Sequence, residues 1–326
     1  MSDEQLFQHR TDLSGLHRAV VAIREEVAKV IVGQQQMVDL MIAGLLSNGH
    51  ILIEGVPGVA KTLTAKLLAR CLDIPFSRIQ FTPDLMPSDV LGTSVFDPRS
   101  SAFEFRPGPI FSSMVLIDEI NRSPAKTQSS LFEVMEERQV TIDGKTHRMQ
   151  APFMVVATQN PVEHEGTYRL PEAQLDRFLF KINVPYPNLE EEVNILRLND
   201  KTLQQDQLAQ VQKLLSAADI VTLQSQIRSI HVEEKLVRFI ASVVQETRNS
   251  KSVFLGASPR ASLAILMASK AIAGMAGRDF VTPDDIVFVV PAVLRHRLLL
   301  TPEKEMEGIT TDEVIQGFIK SIEIPR

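Results

Sequence analysis

Ile51-Leu52-Ile53, followed by Gly55-Val56-Pro57-Gly58-Val59-Ala60-Lys61-Thr62, is the stretch on which the reading of the fold turns. A short apolar run suited to a buried strand passes into a glycine-containing turn, and a helical pattern opens at Lys61 and runs to about Leu72. Such a turn lets backbone N–H groups converge on phosphate oxygens. Lys61 is placed to reach the outer phosphates, and the Thr62 hydroxyl suits a Mg2+ ligand. The helix that begins there adds the positive end of its dipole. Ala60 stands where a glycine usually precedes the lysine. If residue 60 lies within the first helical turn its φ is negative, a conformation alanine adopts without strain. An ordinary Gly/Pro turn between strand and helix has the same local look, so what lies downstream must decide.

The chain has 326 residues, enough for a large core and two domains, and its 44% apolar and 23% charged residues are those of an ordinary globular protein. The single cysteine, Cys71, excludes an internal disulfide and a zinc cluster of cysteines. It falls in helical register with Leu63, Leu67 and Leu68 and reads as core. The start, Met1-Ser2-Asp3-Glu4-Gln5, is too acidic for a secretory signal, and no uninterrupted apolar stretch approaches a membrane span. A cytoplasmic protein with no membrane insertion is expected. With 34 basic and 40 acidic residues the net charge is -6, so no global field draws the chain to nucleic acid. A local basic group, Arg138, Lys145, His147 and Arg148, keeps nucleic-acid remodelling as an alternative.

Leu13, Leu16, Val20, Ile23, Val27 and Ile31 recur at helical spacing, with Gly33 placed to end the helix, and a second helix covers roughly Met37 to Ser47. The strand His50 to Glu54 delivers the turn. Four further apolar runs read as buried strands: Ser77 to Phe81, Met114 to Ile117, Phe153 to Ala157 and Phe180 to Val184. Alternating strands and helices of this kind predict a parallel sheet covered on both faces, with ligands outside the carboxyl ends of the strands. Past Pro185-Tyr186-Pro187 long helical periodicities take over with no convincing strand, which sets a boundary between residues 1–187 and 188–326. The clearest helix there is Ala257 to Gly277, with Ser258 as N-cap and Pro259 at its first position; another begins at Thr282-Pro283-Asp284-Asp285.

Met114-Val115-Leu116-Ile117-Asp118-Glu119 is an apolar strand ending in two carboxylates. Downstream of a phosphate loop, Asp118 suits a metal held through its water shell, and Glu119 suits polarisation of an attacking water. Taken alone it is a strand running out into solvent. The run Phe153 to Ala157 ends in Thr158-Gln159-Asn160-Pro161, where a γ-phosphate contact by Asn160 and a plain Asn-Pro turn fit equally. Arg177, in Asp176-Arg177-Phe178, is a finger for a neighbour's nucleotide or half of a surface ion pair. Arg260, the second residue of its helix, faces the positive end of the dipole, which suggests an anion nearby.

Together these motifs resemble the AAA+ ATPases, and more closely the MoxR family, over nearly the whole chain. Ile31-Val32-Gly33-Gln34 is similar to the family's adenine-side segment, Gly55 to Thr62 to its Walker A loop with the same alanine, and Val115 to Glu119 to its Walker B strand. Asn160 matches sensor 1, Asp176-Arg177-Phe178 the arginine-finger region and Gly256-Ala257-Ser258-Pro259-Arg260-Ala261 the sensor 2 segment. The resemblance implies a P-loop AAA+ αβα core with a smaller all-α lid. It implies ATP and Mg2+, with nucleotide contacts from Val32, Gly33, Gly55, Pro57, Gly58, Val59, Ala60, Lys61, Thr62 and Leu63. Thr62 and Asp118 would place the metal, and Glu119, Asn160, Arg177 and Arg260 would serve catalysis, Arg177 in trans and Arg260 in cis or as a lid sensor. Arg122 competes with Arg177 for the finger. Further implications are a ring homo-oligomer, a hexamer, and a protein client carrying a von Willebrand factor A domain, matured or loaded with metal. A magnesium-chelatase-like motor and a nucleotide-switched binding module are the rivals. Two hairpins fit the family's insertions: Thr93 to Phe96 with Phe103 to Arg106, joined by Asp97-Pro98-Arg99-Ser100, and Gln139 to Arg148 with Asp143-Gly144 at its tip.

Overall fold

A computed structural model describes residues 12–161, 168, 170–202 and 211–324. Two helices, α1 (Ser14–Ala28) and α2 (Gln35–Leu46), precede β1 (His50–Gly55), α3 (Lys61–Cys71) and β2 (Phe76–Gln80). A short α4 (Pro87–Leu91) leads into the hairpin of β3 (Gly92–Asp97) and β4 (Ala102–Pro107). The chain re-enters through β5 (Met114–Asp118) and α5 (Ala125–Glu137), forms the hairpin of β6 (Gln139–Ile142) and β7 (Lys145–Arg148), and continues through β8 (Met154–Gln159), α6 (Glu172–Leu175) and β9 (Phe178–Val184). Next come α7 (Leu189–Thr202), α8 (Ala217–Arg228), α9 (Glu234–Asn249), β10 (Val253–Leu255), α10 (Pro259–Met275), α11 (Pro283–Leu294), β11 (Leu299–Leu300), α12 (Pro302–Met306) and α13 (Thr311–Ser321).

Five strands pair in parallel in the order β2-β5-β8-β1-β9. Every residue of β5 is buried, which is why the run Met114 to Ile117 is continuously apolar: both faces of the strand are covered. On one face Ile51, Ile53, Leu116 and Val156 meet the helices around α1, α2 and α3; on the other, Leu52, Val115, Ile117 and Val155 meet Leu131, Phe132 and Met135 of α5. The first of these cores runs on without a break into the later helices through Ile220, Val243, Ile265 and Ile286. Close packing enforces that continuity. A Cβ on Gly274 of α10 would meet Ile227 Cδ1 at 2.4 Å and Leu16 Cδ2 at 3.2 Å, so only glycine lets α1, α8 and α10 approach.

The expected elements form, with boundaries that tertiary contacts move, but the strand expected at Ser77 to Phe81 is an edge strand in which only Ile79 of Phe76–Gln80 is buried. The first helix stops at Ala28, not at Gly33; Gly33 (φ 68°) and Gln34 (φ 56°) both sit in the left-handed region within the connection to α2. Ser258 and Thr282 do occupy N-cap positions, and Thr282 completes a capping box with Asp285. The later region is not free of strands: β10 and β11 pair antiparallel. The Asp143-Gly144 tip has φ of 51° and 74°, the two positive angles that a tight two-residue hairpin turn needs.

Candidate nucleotide site

At the carboxyl edge of the sheet a cavity of about 370 Å3 is lined by Pro57 to Leu63, Arg78, Gln80, Asp118, Glu119, Thr158, Gln159 and Asn160. Three strand ends converge there, those of β1, β5 and β8, and the sheet places the phosphate loop beside both carboxylates and the Asn160 amide. Lys61 Nζ lies across the loop, donating to the carbonyls of Gly55 and Val56. Thr62 Oγ1 donates to Asp118 Oδ1 at 3.2 Å, and Thr158 Oγ1 donates to the same oxygen at 3.2 Å. Glu119 has φ 58°, an uncommon conformation for a side chain of its size and one that accumulates at functional sites. Its N–H donates to Thr158 Oγ1 at 3.1 Å, its carboxylate accepts from Gln80 Nε2 at 2.8 Å, and Arg122 Nε stands 3.2 Å from it.

A nucleoside triphosphate with Mg2+ fits these residues. A Cβ built on Gly58, which has φ 90°, meets no described atom within 4 Å, so the turn opens onto free space. Thr62 and Asp118 offer the hard oxygen donors that Mg2+ takes. A second cavity of about 220 Å3 adjoins on the other side of the loop, lined by Val30, Ile31, Val32, Gln34, Gly58, Val59, Ala60, Leu63, Pro187, Ile195 and Leu198. Its largely apolar lining would suit a base. Gly33 flanks it under Glu191, whose Oε1 would lie 2.5 Å from an added Cβ.

Ala60 departs from the sequence expectation. It is the N-cap of α3, with φ 58° and ψ 19°, not a residue of the first turn with negative φ. An alanine in that conformation is strained where a glycine would not be. Ser258 caps α10 by backbone position alone, since its hydroxyl donates to Asp176 Oδ2 at 3.2 Å.

The two arginines lie elsewhere. β1 and β9 run parallel with His50 opposite Phe178 and Gly55 opposite Val184, so Arg177 sits at the start of the strands and the phosphate loop at their far end. Five residues of strand separate them, about 17 Å at ~3.3 Å per residue. Arg260 is at the same end as Arg177: Glu136 of α5 receives Arg260 Nη2 at 3.0 Å and stands 3.7 Å from Arg177 Nε. The anion inferred near Arg260 is thus a side chain of α5, and its guanidinium does not reach its own chain's phosphate loop. Arg122 stays by Glu119. Arg138 leaves the supposed basic patch, donating instead to the carbonyl and side chain of Asn48 and to the Phe153 carbonyl.

Behind Arg177 the later helices hold the strand. Arg297, with 4% of its side chain exposed, donates to Asp176 Oδ1 at 2.7 Å and to the carbonyls of Asp176, Phe178, Leu179 and Val293. Sequence reading passed over Arg297 and Glu136, because nothing local links residues so far apart in the chain. It also missed Ile195 and Leu198. For Arg78 and Gln80 a signal existed: Arg78-Ile79-Gln80 alternates polar and apolar, as an edge strand with one wet face does.

A P-loop site at the edge of a parallel sheet, closed on one side by a helical domain, defines an ATPase of the AAA type. The model of the ATPase family associated with various cellular activities (AAA) matches residues 50–180, and that of the AAA lid domain matches residues 245–317. Chaperone MoxR1 of Mycobacterium tuberculosis is 47% identical over 92% of this chain and 81% of its own length. Protein MoxR of Methylorubrum extorquens is 28% identical over 93% of both. The crystal structure of a candidate ATPase from Cytophaga hutchinsonii superposes with a TM-score of 0.88 at 41% identity, covering 96% of this chain and 97% of that one. The chain belongs to the MoxR family of AAA+ ATPases. Among the described residues no helix is long and apolar enough to cross a membrane.

Proposed function

We propose that this chain hydrolyses ATP with Mg2+ and uses the cycle to remodel a protein client, as a subunit of a ring, a hexamer, in the cytoplasm. The observation that carries the reading is the convergence of Lys61, Thr62, Asp118, Glu119 and Asn160 on one cavity beside an apolar slot. Lys61 and the loop amides grip the β and γ phosphates of the substrate. Thr62 and Asp118 would hold Mg2+, which would supply neutralisation of phosphate charge. Glu119 orients the attacking water and takes up its proton, while Asn160 fixes the γ-phosphate. The division at about residue 187 separates the unit that binds phosphate from the lid, which contributes Ile195 and Leu198 to the base slot.

Arg177 and Arg260 complete a neighbour's site, since their end of the sheet is remote from their own loop. The lid therefore serves two nucleotides: its first helix borders the one in its own chain, and its Arg260 reaches toward the next. The name of the Mycobacterium tuberculosis relative supports a chaperone role; a client with a von Willebrand factor A domain and metal insertion are the finer reading. The carbonyl and amide contacts of Arg138 remove one of the basic groups on which nucleic-acid remodelling rested. Steady-state hydrolysis and nucleotide binding by the wild type and Glu119→Gln test the proposal. Binding retained with turnover reduced by ~100-fold or more is expected; equal slow rates in both proteins would leave a nucleotide-switched binding module.

A further inference from the structure

The polar face of β2 lines the nucleotide cavity but belongs to none of the sequence motifs. Arg78 and Gln80 flank the buried Ile79, so both project from the same side of this edge strand. The register sets Gln80 opposite Asp118 and Arg78 opposite Leu116, and Arg78 leans two residues along the strand to reach the carboxylate. Its Nε donates to Asp118 Oδ2 at 2.6 Å, while Oδ1 takes the hydroxyls of Thr62 and Thr158. Asp118 is 6% exposed, whereas 47% of the Arg78 side chain is open to solvent. A buried carboxylate needs a charge partner, and this one is built from a partner that can leave.

We propose that Arg78 is a positioning residue that stands in for Mg2+ at Asp118 and thereby sets the metal concentration at which the site tightens on nucleotide. The inference rests on the ATPase reading above. Thr62 and Asp118 are the metal donors in that reading, so a divalent ion and the Arg78 guanidinium compete for one carboxylate and repel each other at close range. Arg78 must swing aside as the metal enters. Its exposure allows the movement, and Gln80 Oε1, 3.4 Å from Nη2, is the first acceptor on the way out. With the site free of metal, Arg78 would give the buried Asp118 carboxylate its charge partner. The arrangement holds the carboxylate ready at the cost of weaker metal affinity.

Titration of a fluorescent ATP analogue, in chelator and across a Mg2+ series, tests this with the full-length wild type, Arg78→Gln, Arg78→Met and Arg78→Lys. Both neutral variants should reach the metal-dependent rise in affinity at roughly fivefold lower Mg2+, as expected for loss of one partly exposed competing cation. Their affinity in chelator should be unchanged, and Arg78→Lys should stay near the wild type. The methionine variant keeps the apolar stem on the strand, so the test survives if the glutamine variant does not fold. An unchanged Mg2+ midpoint in the neutral variants would overturn the proposal. So would weakened binding in chelator with an unchanged midpoint, which would make Arg78 a phosphate ligand. A wild type that binds no nucleotide would overturn the ATPase reading itself, and this inference with it.

Discussion

Ala60 lies at φ 58°, where an L-residue with a Cβ is strained by roughly 1–2 kcal/mol. A glycine there would keep the loop and lose the strain, while adding some freedom to the unfolded chain. Ala60→Gly is therefore expected to raise the urea midpoint, by up to ~1 kcal/mol in unfolding free energy, with nucleotide binding retained. A lower midpoint would show that the methyl group's packing outweighs the backbone. His50 supplies a second test. Its Nδ1 accepts the Val155 N–H at 3.0 Å and its Nε2 donates to the Met135 carbonyl at 3.0 Å, which fixes the neutral form. Burial, with help from the nearby Arg138 cation, pushes its pKa down to about 3. Above the unfolded value of 6.5 both states are neutral and stability is independent of this group. Below it the unfolded chain takes up a proton that the folded chain refuses, so stability falls until about pH 3. At pH 5 the loss from His50 is about 2 kcal/mol. Urea unfolding at pH 7 and pH 5 measures it, and His50→Gln should reduce that pH difference.

Elements were legible where one surface decides them. Buried strands such as Met114–Asp118 announce themselves as apolar runs, and the Asp-Gly tip of β6–β7 announces its turn. Less legible was where elements stop: α1 ends at Ala28 although apolar periodicity continues to Ile31, because Ile31 is buried in the same core from the loop beyond. The hairpins show a similar limit. Phe96 and Phe103 pair across β3–β4 and remain exposed, whereas Phe105 stacks on His147 of the other hairpin with ring centroids 4.2 Å apart. The hairpin thus presents Phe96 and Phe103 to solvent while Phe105 packs against a neighbouring hairpin. The base slot depends on α7, whose Ile195 meets Val32 and Leu63 around one cavity. Ile195→Asp should weaken nucleotide binding about tenfold in isothermal titration, in chelator and in Mg2+ alike, since it places a charge beside an apolar base. Unaltered affinity would remove α7 from the site.

At the scale of the molecule, the sheet separates the two ends of the proposed catalytic set. Arg177 and Arg260 share Glu136 at one end; Lys61, Asp118 and Glu119 share a cavity at the other. A site needing both must be assembled from two chains. Arg177→Ala is expected to bind nucleotide as the wild type does and to lose at least ~100-fold in hydrolysis. Mixing it with a Lys61→Ala subunit should restore part of the activity, because each supplies what the other lacks across one interface. If Arg177→Ala instead loses nucleotide binding, or the mixture stays inactive, the finger is misassigned. Arg297 couples this end to the lid: it is buried among four carbonyls and Asp176, the residue next to Arg177, so the lid helices fix the strand from which that arginine extends.

Residue order alone determined the strand-turn-helix around Gly55 to Thr62, the two carboxylates at the end of their strand, the parallel sheet and the family, because short motifs and the alternation of apolar runs with helical periodicity are carried by the chain's own spacing. Only the tertiary structure decided that Ala60 is left-handed, that Arg78 pairs with Asp118, that Ile195 borders the cavity proposed for the base and that Arg260 keeps company with Arg177. Those facts depend on contacts between residues about 40 to about 165 positions apart, or on a single backbone angle. A linear pattern carries no term for either.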